Sequence, residues 1–232
     1  MLPELPAEFA TTRGALHAVA EQVLAAASYA SIARIGLRPS PRGFSTQVLA
    51  DGARVHVDAT AIVCDRATDS RRHQLTTLQA ASAFLGVPLG APPVYTAATA
   101  WEPDRPLAVD RDAALALGDW FALVAALLLD VRANHPDVSS TESQIWPEHF
   151  DLACEVGDAA AGTRANFGAS PGDAAIPEPY LYVGPWEAGR RTGLLGTHPF
   201  GGARTYSELR RAGEAGAEGR QFFESALAQL LG

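Results

Sequence analysis

A chain of 232 residues is long enough to bury a substantial core, as one large domain or two small ones. Its net charge of −8 argues against a general affinity for nucleic acid or for an anionic membrane, so neither is expected as a partner. All 18 basic residues are arginine, and the absence of lysine excludes Schiff-base chemistry and a Walker-type phosphate loop.

Taken in chain order, residues 7–30 predict a helix: Leu16, Val19, Val23 and Leu24 form an apolar stripe in an alanine-rich background. Pro39, Pro41 and Gly43 mark a loop, and Asp51-Gly52 between two extended runs predicts a hairpin. In its second strand Val55 and Val57 face one way, His56 and Asp58 the other. A helix over about 71–85 follows, with Asp69, Arg71, Arg72 and His73 read as a solvated charge cluster in its first turn. Residues 86–109 are proline-rich and aperiodic, and read as a long loop or as the one domain boundary on offer. Asp110 is placed to cap a helix running to Asn134. That helix holds the most apolar run, residues 113–131, which Asp119 and Asp130 interrupt, and it reads as buried rather than membrane-spanning. Residues 143–156 read as one strand, 157–177 as a Gly/Ala/Pro loop, 179–183 as a strand and 184–204 as glycine-rich connection. Two short helices over 205–213 and 217–231 end the pattern. Strands do not alternate regularly with helices, so the expected class is α+β, a mostly antiparallel sheet with helices packed on it, as a single domain over 1–232.

Two cysteines, Cys64 and Cys154, are too few for a disulfide framework and form no C-x-x-C pair, so both read as buried free thiols. The first residues, M-L-P-E-L-P-A-E-F, are acidic and lack a signal-peptide pattern; the expected compartment is the cytosol.

The stretch most suggestive of function is I-W-P-E-H-F-D-L-A-C-E-V, residues 145–156. In a continuous strand Trp146, Glu148, Phe150, Leu152, Cys154 and Val156 share one face, largely apolar. His149 and Asp151 then look out together from the other, about 6–7 Å apart. The loop beyond carries N-F-G-A-S-P-G-D-A-A-I-P-E-P-Y. Ser170-Pro171-Gly172-Asp173 suits a type II turn, and Glu178, Tyr180 and Tyr182 share a face if 178–183 is extended. Paired with the histidine strand, these side chains would face His149 and Asp151 across a cleft. The catalytic candidates are therefore His149 and Asp151, and the ligand-binding candidates Trp146, Asp173, Glu178, Tyr180 and Tyr182. A single H-x-D falls short of the three or more protein ligands of a usual metal site, so no metal ligand set is assigned and the cofactor stays unknown. His17 and His135 read as surface residues, and His198 as a loop residue.

W-P-E-H-F-D (146–151), F-G-A-S-P-G-D (167–173) and P-E-P-Y (177–180) together resemble a family of bacterial proteins of unknown function, which has a W-P-x-H-F-D strand, an S-P-G-D loop and a tyrosine-rich strand. The likeness covers roughly residues 140–190 well and the rest loosely. It implies no activity, only that Trp146, His149, Asp151, Asp173, Glu178 and Tyr180 are the positions to test. Where the family pattern often has a second histidine this chain has Glu148, which removes a metal ligand.

Three functions compete on this reading. The first is a protein binding a small molecule in a cleft beside His149 and Asp151. The second is a hydrolase using that pair, with or without a metal. The third is a structural protein whose loop forms an interaction surface, as in a homodimer.

Overall fold

The computed structural model describes residues 1–232. Ten strands form two antiparallel five-stranded sheets accompanied by helices, so the chain adopts the α+β class that its patterning predicts. It divides into two compact units, each built from separated stretches of sequence. Residues 5–122 and 144–150 form the N-terminal unit, and residues 1–4, 123–143 and 151–232 the C-terminal unit. Residues 86–109 lie wholly within the first.

In the N-terminal unit α1 (Phe9–Val19) continues through a π-helical turn, Ala20–Leu24, into α2 (Ala25–Ile32). The predicted stripe of Leu16, Val19, Val23 and Leu24 is fully buried. Five strands follow as a meander: β1 (Arg38–Ser40), β2 (Gly43–Ser45), β3 (Arg54–Asp58), β4 (Ala61–Arg66) and β5 (Asp69–Gln74). The Asp51-Gly52 turn forms as expected, with Gly52 at φ 78 donating its amide to Leu49 O at 2.9 Å. Residues 69–74 differ from expectation: they form an edge strand paired to β4, not a first helical turn. Their charges are solvated, as read, and a charged edge resists pairing with another chain. The helix starts later, as α3 (Leu78–Leu85), because Thr77 caps it by accepting a hydrogen bond from Ala80 N at 3.0 Å. Asp110 caps α4 (Arg111–Asn134) through Ala113 N at 2.9 Å. By length and composition α4 could cross a membrane, and half of its apolar window is buried inside the protein. β6 (Gln144–Trp146) returns to this unit, where Leu37 and Ile145 exchange backbone hydrogen bonds of 2.9 and 2.8 Å.

The C-terminal unit carries β7 (Asp151–Val156), β8 (Ala165–Ser170), β9 (Tyr180–Pro185) and β10 (Gly202–Thr205), neighbours in that order. β8 and β10 fall in stretches that read as loop. A-N-F-G-A-S lacks the β-branched residues that mark a strand, and β8 is held instead by partners on both edges. Leu152, Cys154, Phe167, Leu181 and Val183 form the core face. α5 (Tyr206–Ala212) opens with a capping box between Thr205 and Glu208, and α6 (Ala215–Leu231) packs Phe223 on Phe167, ring centres 5.7 Å apart. A Cβ on Gly219 would fall 2.7 Å from Leu127 Cδ1, so glycine is what admits this approach of α6.

Candidate functional sites in each unit

The histidine stretch is not one strand. Between β6 and β7 the chain makes a helical turn: the amides of His149 and Phe150 both donate to Trp146 O, at 3.2 and 2.7 Å. Phe150 then takes the left-handed φ of 57, and its ring is held edge-on to Phe44 and Phe121 at 5.2 and 5.6 Å. The alternation that would set His149 and Asp151 on one face is broken there. His149 is exposed on the turn, and Asp151 is buried at the start of β7. Pro147 supplied the signal, since a proline with Glu, His and Phe after it opens a turn as readily as a strand. Trp146 is half-buried at the end of β6, and its carbonyl anchors the turn.

The N-terminal unit holds a polar centre that sequence reading missed. Glu21, in the π-helical turn, is completely buried. Its carboxylate accepts from Ala98 N at 2.7 Å, Thr99 N at 2.8 Å and Thr99 Oγ1 at 2.6 Å. Tyr95 donates its hydroxyl to Glu21 O at 3.1 Å, and Gln22 donates its amide to Thr99 O at 3.1 Å. These bonds strap the proline-rich segment to the helix. One turn back, His17 is largely enclosed rather than on the surface as expected, stacked on Phe150 with ring centres 5.0 Å apart. Its Nε2 lies 2.8 Å from Pro147 O, and a carbonyl only accepts, so Nε2 carries the proton and Nδ1 is the basic nitrogen of the neutral ring. Burial lowers the His17 pKa below 6.5, against the raising pull of Glu21. Glu148 Oε2 is buried without a hydrogen-bond partner. Burial, then the charges of Glu21 and Glu148, push the Tyr95 phenol well above its ordinary range. The legible clue was the i, i+4 spacing of His17 and Glu21 in an otherwise apolar helix.

The C-terminal unit brings together four of the seven predicted site residues. On the sheet face opposite the core, Tyr182 donates its hydroxyl to Asp151, and Tyr180 donates to Asp173 at 2.6 Å. Asp173 also closes its own loop, accepting from Ala175 N at 2.7 Å and Ile176 N at 2.9 Å and donating its amide to Ile176 O at 2.8 Å, after Gly172 at a positive φ of 103. The two tyrosine rings stand 6.2 Å apart, and Phe200 lies 6.0 Å from Tyr180 and 6.2 Å from Tyr182. His198 stacks on Phe200 at 5.2 Å. Burial first, then the partner carboxylates, push both phenols well above 10, so they are committed hydrogen-bond donors and not bases. Glu178 is employed elsewhere: its carboxylate accepts from Ser207 N at 2.9 Å and Ser207 Oγ at 2.6 Å in the first turn of α5. Phe200 went unnoticed because it lies in a glycine-rich stretch without period.

No three His, Cys, Asp or Glu side chains converge as metal ligands would. Both cysteines are free and buried, and burial pushes the Cys154 thiol up to about 12, which leaves it inert as a nucleophile. No family model, curated protein or solved structure matches this chain.

Proposed function

We propose that this chain is a small-molecule-binding protein whose ligand contacts the tyrosine wall of the C-terminal unit, formed by Asp151, Tyr182, Tyr180 and Asp173. The observation that carries the reading is the pair of phenol-to-carboxylate hydrogen bonds on one sheet face, with Phe200 against both rings. Such a wall joins apolar rings to a few polar groups of fixed direction, as ligand sites do. Its hydrogen bonds lie outside the sheet ladder, so a ligand can redirect them without unpairing a strand. The acidic balance and the free thiols suit a reducing compartment, and we place the protein in the cytosol.

The test is a fragment screen by thermal shift on the wild type, followed by Tyr182→Phe, Tyr180→Phe and His149→Ala. Hits should stabilise the wild type and lose their effect in Tyr182→Phe, with that variant still folded. Equal stabilisation of wild type and Tyr182→Phe by every hit would sink the reading.

A second reading, an acid–base enzyme, is favoured by one observation: His17 is a neutral imidazole whose accepting nitrogen is set by the bond to Pro147 O. It expects slow turnover of p-nitrophenyl acetate that His17→Gln abolishes and His149→Ala preserves. Turnover unchanged in His17→Gln would remove it.

A further inference from the structure

A recess of about 340 Å³ opens in the N-terminal unit where α2 ends. Its shape follows from two backbone features. Ala33 ends the helix in the left-handed region, φ 53, with its amide donating to Tyr29 O at 2.9 Å. The chain then passes Gly36, where a Cβ would fall 2.0 Å from Gln144 Oε1. Glycine leaves room for the Gln144 carboxamide to rest against the backbone there, at the edge of the recess.

Three polar side chains line this recess without a partner in the protein: the Tyr29 hydroxyl, the Arg34 guanidinium and the Gln144 carboxamide. Elsewhere in the same unit Arg42, Arg66 and Arg72 each hold an aspartate. The rest of the lining is apolar. Ile35 forms part of it, and Val94 is 56% exposed, a large open fraction for a branched hydrocarbon.

The geometry points to a binding site for a small organic monocarboxylate with a compact aromatic or branched apolar body. Arg34 carries the only formal charge in the lining and sets the sign of the ligand. A guanidinium pairs a carboxylate through two parallel hydrogen bonds, and the Gln144 amide and Tyr29 hydroxyl add neutral donors beside it. The apolar body would lie on Val94 and Ile35, removing that hydrocarbon from water. The volume is at the lower end of the range for ligand sites, which selects a single-ring acid over a nucleotide.

The test is an amide-detected NMR titration of the full chain with sodium benzoate, benzamide and benzylamine in parallel. Benzoate should shift the amides of residues 29–36, 94 and 144 saturably, benzamide should bind about tenfold more weakly, and benzylamine should not bind. Arg34→Gln should weaken benzoate about tenfold; Arg34 is exposed and unpaired, so this variant keeps its fold. Tyr29→Phe should weaken it by about threefold, as loss of one neutral hydrogen bond does. Absence of saturable benzoate shifts in those residues, or equal benzoate binding in Arg34→Gln, would overturn the assignment. So would benzylamine binding as tightly as benzoate.

Discussion

Each unit encloses one carboxylate, and the two are held in opposite ways. Glu21, wholly buried, takes hydrogen bonds from the backbone amides of Ala98 and Thr99 and from the Thr99 hydroxyl. Asp151, 8% exposed, accepts a hydrogen bond from the phenol of Tyr182. Backbone donors cannot turn away unless a segment of chain detaches, so Glu21 is part of the protein's own scaffold. A phenol sits on a side chain outside the sheet ladder and can be offered to something else. The type of donor, more than the depth of burial, thus separates a carboxylate fixed by the chain itself from one held by a side chain that can turn.

The largest expected effect tests the first half of that contrast. Glu21→Ala strips two amides and a hydroxyl of the acceptor they share in part-buried hydrogen bonds, each worth about 1 kcal/mol, so a loss of about 3 kcal/mol is expected. Urea denaturation measures it, and amide exchange at Ala98 and Thr99 should quicken well beyond the global change. Asp151→Ala should cost less; if it costs as much as Glu21→Ala, the two carboxylates are alike and the contrast fails.

Next in size is the tyrosine wall. Tyr182→Phe leaves the buried Asp151 carboxylate short of a donor and should cost about 1–2 kcal/mol. Tyr180→Phe should cost about 0.5–1 kcal/mol, because Asp173 is exposed and keeps the amides of Ala175 and Ile176. Thermal melts of the two variants without ligand read this order directly. A reversed order would mean that Tyr180, not Tyr182, holds the critical bond.

Ser207→Ala follows, at about 1 kcal/mol or less, since it removes one of the two donors to Glu178 and spares the capping box at Thr205. Ligand binding at the tyrosine wall should be untouched by it. A loss of binding in Ser207→Ala would put Glu178 back among the ligand-contacting residues, where the sequence had suggested it.

What was legible follows from period and punctuation. The buried stripe of α1, the Asp51-Gly52 turn and the Asp110 cap each carry a local physical cause, and each formed. β8 was illegible because A-N-F-G-A-S has Phe167 as its one strand-favouring residue and is made a strand by β7 and β9 on its two sides. β5 was illegible for the opposite reason: an exposed edge strand carries no buried face, so its charges read as a helix start. At the candidate sites, Asp151, Asp173, Tyr180 and Tyr182 were found because they are chemically conspicuous and close in sequence. Glu21 was not, because its partners lie 77 and 78 residues away in a segment without period.

The smallest effect is one of pH, and it asks whether the centre around Glu21 is as rigid as its amide bonds imply. His17 is faced by Glu21, which favours its charged form, and by Arg13 and His149, which disfavour it. Burial exceeds these and sets the folded-state pKa below the unfolded 6.5. The unfolded chain therefore binds the proton more readily. The stability that neutral His17 contributes is complete above 6.5 and is lost as pH falls through the folded value. His17→Gln keeps a donor for Pro147 O and cannot titrate, so its denaturation midpoint should fall less than that of the wild type between neutral pH and the acid side of 6.5. A ring held rigidly in its enclosed place has no means of avoiding that loss. If wild type and His17→Gln lose stability in parallel, the imidazole swings out to water when protonated. The strap that Glu21 ties would then be anchored beside a mobile side chain and not within a fixed core.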